Sequence, residues 1–142
     1  MDLSGTRLLL DTTALIHHMK GQHPELEKYL EEARLKQLFV GYSIITEMEL
    51  WVGVAPNHPN FNEAKHEALI YPYVRVFVNS PIARRAGYFK IVLKKQGKDP
   101  GVADCLIAAT AEHYKLTILN HNSRHFPLFE SISPTIKTLL YV

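Results

Sequence analysis

A chain of 142 residues carrying 16 Lys and Arg against 14 Asp and Glu, with a net charge of +2, is long enough to bury about two thirds of its unfolded surface in one domain. That balance excludes a dedicated non-specific nucleic-acid coat, and a single cysteine, Cys105, excludes a disulfide scaffold. No apolar run reaches the ~18 to 20 residues of a spanning helix, and Met1 to Gly5 lack the charged-then-apolar order of a signal peptide. The expectation is one domain over residues 1–142, with no membrane partner, in a reducing cytoplasm.

In chain order, Arg7-Leu8-Leu9-Leu10 is a short apolar run closed by Asp11-Thr12-Thr13. This is the pattern of a strand buried on both faces, with Asp11 at its carboxyl end. Ala14 to Lys20 and Pro24 to Arg34 read as helices separated by Gly21-Gln22-His23, the second with Leu26, Tyr29, Leu30 and Ala33 on one side. Leu38 to Val40 is the next strand. Ser43 is placed to cap a helix running to about Val52, with Glu47 able to help satisfy its first turn. Phe61 to Ile70 reads as a helix packing through Ala64, Ala68 and Leu69, and Tyr73 to Val78 as a β-rich strand. Ser80-Pro81 and Asp99-Pro100 both look like a capping residue followed by proline at the first helical position. The first opens a helix with an apolar stripe from Ile82 to Leu93. The second opens Asp104-Cys105-Leu106-Ile107-Ala108-Ala109-Thr110-Ala111, whose small residues let one face press closely on a sheet. Leu116 to Leu119 is a further strand, ended by Asn120-His121-Asn122-Ser123, and Thr135 to Val142 a last edge strand.

Strands alternating with helices imply a parallel sheet covered on both faces, and such sheets bind ligands beyond the carboxyl ends of their strands. Asp11 and Asn122 fall at that edge, while Glu49 and Asp104 lie on helices that follow strands. Two carboxylates about 5 Å apart repel by roughly 3 kcal/mol at an effective dielectric near 20, so three together need protons or a cation. An all-oxygen cluster suits Mg²⁺ or Mn²⁺, which activate water and offset charge on a transferring phosphoryl group.

The order Leu10-Asp11-Thr12-Thr13, Ser43 to Gly53, Asp104 to Ala111 and Asn122-Ser123-Arg124-His125-Phe126 resembles the PIN-domain ribonucleases of the VapC toxin type, over nearly the whole chain. The resemblance implies an α/β, three-layer fold with a short central parallel sheet flanked by helices. It also implies a Mg²⁺- or Mn²⁺-dependent endoribonuclease hydrolysing RNA phosphodiester bonds, a small VapB-like antitoxin whose tail covers the acidic site, and a homodimer. Matched by motif, the metal-binding acids fall on Asp11, Glu49 and Asp104, and a fourth catalytic position on Asn122. Glu49 rather than Glu47 fits the family's Glu-Leu-x-x-Gly pattern, as Glu49-Leu50-Trp51-Val52-Gly53. A hydroxyl partner falls on Thr12 or Thr13. Where the family commonly has Thr two residues before the fourth position, this chain has Asn120.

Two other readings stand beside this one. A PIN-like scaffold could bind RNA or protein without cutting, since Asn122 brings one negative charge fewer than Asp. A flavodoxin-like phosphate or nucleotide binder is disfavoured, because Asp11-Thr12-Thr13 is acidic where an anion site is glycine-rich. Cys105 reads as a buried small hydrophobe. The histidines, including His17-His18, His58, His66 and His113, lack the paired spacing of a structural zinc site, so none is expected. His125 reads as a loop residue near the site. Arg84-Arg85, Lys90, Lys94-Lys95 and Lys98 mark a basic helix side that is either solvated or laid on RNA backbone. Trp51 and Tyr88 are either base-stacking or packing residues. Surplus apolar helix surface at Leu26, Leu30, Trp51, Phe61 and Leu69 is the sequence-level ground for a dimer.

Overall fold

Three consecutive leucines, Leu8–Leu10, form strand β1, and none of them has any exposed surface. The structure, a computed structural model, describes residues 3–53, 63–121 and 125–142. β1 lies at the centre of a five-stranded sheet, between β2 (Val40–Ser43) and β4 (Thr117–Asn120), with β3 (Val74–Val76) and β5 (Lys137–Leu140) at the edges. All four pairings are parallel, and Leu9 stands beside Gly41 on one side and Ile118 on the other.

Side chains alternate across the sheet, so each face requires its own cover. Leu9, Val76 and Ile118 point to one face, where α5 (Ser80–Lys95), α6 (Val102–Tyr114) and α7 (Phe126–Glu130) pack through Phe89, Leu93, Ile107, Ala108, Phe126 and Phe129. Leu8, Leu10, Val40, Tyr42 and Leu119 point to the other. There α1 (Thr12–Lys20) and α2 (Pro24–Leu35) supply Leu15, Leu26, Leu30 and Ala33, while α3 (Ile44–Gly53) adds Leu50 and α4 (Glu63–Ile70) adds Ile70. The expected three layers are therefore present, and no helix among the described residues is long and apolar enough to cross a membrane.

Several local expectations are corrected. The second strand begins at Val40 rather than Leu38, because residues 36–38 close α2. Gln37 turns to φ 55°, its N–H donates to Arg34 O, and the Leu38 N–H donates to Ala33 O, which is the Schellman pattern. Asn79, not Ser80, caps α5, its Oδ1 accepting from the Ile82 N–H at 3.0 Å. Asp99 does not cap α6 and Pro100 is not its first residue: the cap is Gly101. Lys90 Nζ instead gathers Asp99 Oδ1 and the Pro100 carbonyl, both at 2.6 Å, so Asp99 ties the approach of α6 to α5. Leu26 and Leu30 are buried and supply no surplus surface for a dimer. In α4, Ala64 and Ala68 are exposed and Ile70 is the packing residue. Helix α7 was not expected from the sequence, while the proposed starting point at Phe61 lies outside the described residues.

Gly41 marks where the sheet is tightest. A β-carbon there would sit 2.9 Å from the Val74 carbonyl oxygen and 3.0 Å from the Phe39 ring. The backbone of β3 would have to move to admit it. Gly41→Ala is expected to lower stability by about 1 to 3 kcal/mol, read from urea-unfolding midpoints; an unchanged midpoint would show that the edge strand relaxes freely.

Candidate functional site

The strand order turns at β1: the chain builds β2 and β3 on one side of it, then crosses to build β4 and β5 on the other. Such a reversal opens a crevice beyond the carboxyl ends of the two central strands. Asp11, the first residue beyond β1, stands there. Its N–H donates to the Leu119 carbonyl of β4 at 3.2 Å, and its Oδ1 accepts from the Ala14 N–H at 2.7 Å, capping α1. It is only 6% exposed. Burial pushes its carboxyl up from the ordinary 3.8 to about 7, with the Asp104 and Glu49 carboxylates adding to the rise and the Ala14 N–H opposing it.

Each of the other two acids is held by a partner of its own. The Thr12 hydroxyl donates to Glu49 Oε1 at 2.5 Å and lies 3.0 Å from Thr46 Oγ1. With its one proton spent on Glu49, Thr12 accepts from Thr46. Of the two threonines singled out after β1, Thr12 is thus the one that reaches Glu49. Asp104 is in the first turn of α6, where the helix dipole favours a negative charge. Its Oδ2 accepts from His125 Nδ1 in a short contact. His125 is therefore bonded to the site rather than merely near it, a pairing across 21 positions that no local sequence signal announces.

Glu47 points elsewhere. It takes Arg75 of β3 in a two-bonded fork of 2.7 and 2.9 Å, which accounts for it as a structural acid and removes it from the capping role. Asn122, the remaining residue of the candidate set, lies outside the described residues. Asn120, two positions earlier, is fully buried, with its amide donating to the Ile118 carbonyl.

Several of the other candidates are accounted for by burial or ion pairing. Cys105 is buried, and burial pushes its thiol up, away from nucleophilic thiolate. Arg85 forks onto Glu112 at 2.7 and 3.0 Å and lies over the rings of Tyr88 and Phe89. With Lys90 bound to Asp99, two of the basic residues of α5 thus fasten that helix to its neighbours. Trp51 and Tyr88 are both partly exposed.

Known proteins share the fold of this chain. The family model for the PIN domain matches residues 8–130. Ribonuclease VapC19 of Mycobacterium tuberculosis is 29% identical over 126 residues, covering 89% of this chain and 97% of its own. Ribonuclease VapC10 of the same organism is 29% identical over 131 residues, covering 89% and 91%. Among solved structures, DNA-bound VapBC from Salmonella typhimurium has a chain 25% identical with a TM-score of 0.79, covering 96% of this chain and 99% of that one. VapBC2 from Rickettsia felis, bound to a promoter DNA fragment, has a chain 19% identical with a TM-score of 0.82, covering 96% and 100%.

The burial of Asp11 makes a pH prediction. In metal-free protein the folded state holds this proton up to about pH 7, whereas the ordinary carboxyl value is 3.8. Folding is therefore linked to proton uptake in that window, and the contribution of Asp11 to stability falls as pH rises through it, then levels off. Asp11→Asn keeps a capping oxygen and removes the titration. In urea unfolding of chelator-treated protein, its advantage over wild type should grow between about pH 5 and about pH 7. Parallel stability profiles would show that Asp11 is not strained by its charge.

Proposed function

The chain belongs to the PIN-domain family, and from that premise we propose that it is a Mg²⁺- or Mn²⁺-dependent endoribonuclease of the VapC toxin type, restrained by a small antitoxin protein. The observation that carries the reading is a nearly buried Asp11 whose carboxyl is pushed up in part by Asp104 and Glu49. Three acids contributed by the end of β1, by α3 and by α6 make a repulsive cluster that a divalent cation relieves. An all-oxygen donor set fits a hard cation. The names of the two Mycobacterium relatives support ribonuclease activity, and the VapBC structures support an antitoxin partner. Residues 1–142 are proposed to be a single PIN domain, and a homodimer follows the same likeness.

In this reading Asp11, Glu49 and Asp104 hold the ion, and Asn122, two positions after β4 in the sequence, is the fourth catalytic residue. When bound, the ion supplies charge stabilisation for phosphodiester hydrolysis and lowers the cost of deprotonating water. The protein contributes positioning. Ala14 N–H takes one oxygen of Asp11, Thr12 one oxygen of Glu49 and His125 one oxygen of Asp104, so each carboxylate is oriented and retains a second oxygen. No protein nucleophile is required, in keeping with the buried Cys105.

The test contrasts two aspartates five residues apart. Asp104→Asn is expected to reduce RNA cleavage by orders of magnitude with Mg²⁺ or Mn²⁺ present, while Asp99→Asn, which alters only the exposed pair with Lys90, leaves it near wild type. Mn²⁺ should also raise the melting temperature of wild type more than that of Asp11→Asn. Loss of cleavage in Asp99→Asn but not Asp104→Asn would overturn the assignment. Metal binding without cleavage by wild type would favour a non-cutting RNA- or protein-binding scaffold.

A further inference from the structure

The histidines lack zinc-site spacing in the chain, yet the fold gathers three of them from distant positions. His17 is in the last turn of α1, His23 is the residue before α2, and His121 follows β4. One ring nitrogen from each lies within 4.8 Å of the others, and all three residues are half-buried. The His17 and His23 rings stack with centroids 3.8 Å apart at 14°, and His121 stands edge-on to both at 5.0 Å.

Two features go beyond crowding. His23 occupies a helix N-cap position, where Ser, Thr, Asp or Asn would supply a capping oxygen, and it makes no side-chain capping bond. Tyr141 backs the cluster from the end of β5. Its carbonyl oxygen lies 3.2 Å from His121 Nδ1, and its hydroxyl lies 2.8 Å from His17 Nδ1. A carbonyl only accepts, so His121 carries its proton on Nδ1 and keeps the Nε2 lone pair. Fixing an imidazole through its other nitrogen is the usual support of a histidine ligand.

We propose that His17, His23 and His121 form a binding site for a Zn²⁺-class transition-metal ion, separate from the acidic centre, which fastens the turn between α1 and α2 to the carboxyl ends of β4 and β5. Three neutral imidazoles favour Zn²⁺, Co²⁺, Ni²⁺ or Cu²⁺ over Mg²⁺ or Ca²⁺. Three protein ligands leave a fourth position for water, as in open zinc sites. Zn–N bonds of about 2.0 to 2.1 Å in a tetrahedron place nitrogens roughly 3.4 Å apart. Ligation therefore requires the nitrogens to draw in from within 4.8 Å and the stacked His17 and His23 rings, 14° from parallel, to tilt until their lone pairs converge. The inference does not depend on the proposed ribonuclease activity.

The experiment titrates chelator-treated full-length protein with Zn²⁺ in a large excess of Mg²⁺, by calorimetry, and repeats it with Co²⁺, whose visible absorption reports tetrahedral nitrogen ligation. One ion per chain with micromolar or tighter affinity is expected. His23→Asn, which installs a good capping residue, should weaken uptake by at least about tenfold while its metal-free melting temperature stays at or above wild type. His121→Gln gives a second reading should that variant fold poorly. Asp104→Asn should bind Zn²⁺ as wild type does. The proposal fails if wild type shows no saturable uptake, if neither histidine variant weakens it, or if Asp104→Asn abolishes it, since the ion would then occupy the acidic centre.

Discussion

A strand that exposes nothing on either face governs this molecule. Leu8–Leu10 has no solvent edge, because β2 and β4 flank it, and no solvent face, because its alternate side chains enter two separate cores. A strand so enclosed is satisfied by parallel crossovers with helices on both sides. The next residue in the chain must then leave the sheet at its carboxyl end, in the crevice made by the reversal of strand order. Asp11 is that residue. Its position near the other acids is a consequence of the topology, and its burial is a consequence of following a fully buried strand.

Burial there carries an electrostatic cost that local bonds only partly offset. The Ala14 N–H favours the ionised carboxylate, but desolvation outweighs it and the neighbouring acids add to the rise. A site built for stability alone would replace such a residue with an asparagine, which caps as well and does not ionise. Glu49 and Asp104 are likewise restrained, by a hydroxyl pair and by an imidazole. Glu47, on the same helix as Glu49, shows the contrasting case. It is neutralised by a forked Arg75, and nothing about it asks for a cation.

What the sequence disclosed was what local pattern encodes. The triple leucine, the alanine-rich stretch of α6 and the apolar stripe of α5 each have one physical reading, and the order of elements gave the layered fold. The misses lie where a distant partner decides or where a local feature is too short or unmarked to show a pattern. Asp99-Pro100 has the local form of a helix start, but Lys90 from α5 takes both the carboxylate and the proline carbonyl, and α6 starts later. Gln37 at positive φ closed α2 without the glycine that would have signalled it, so β2 was placed too early. The five-residue α7 is too short to show a period, although Phe126 and Phe129 are its buried pair. Choosing Glu49 over Glu47 rested on motif resemblance; the Arg75 fork supplies a physical reason for the same choice. The pairing of His125 with Asp104 and the gathering of His17, His23 and His121 depend on the fold alone.

Two donor sets of different character lie near the carboxyl edge of the sheet, the oxygens of Asp11, Glu49 and Asp104 and the nitrogens of His17, His23 and His121, and Tyr141 interacts with members of both. Its hydroxyl and carbonyl serve His17 and His121, while burial, with the Asp11 charge adding to it, pushes its phenol well above the ordinary tyrosine range. A phenol held that firmly protonated contributes no charge to either side. It can hydrogen-bond to an imidazole without competing for a cation. On the two proposals, hard divalent ions would be drawn to the oxygens and borderline ions to the nitrogens, so that one sheet edge would sort metals by donor chemistry.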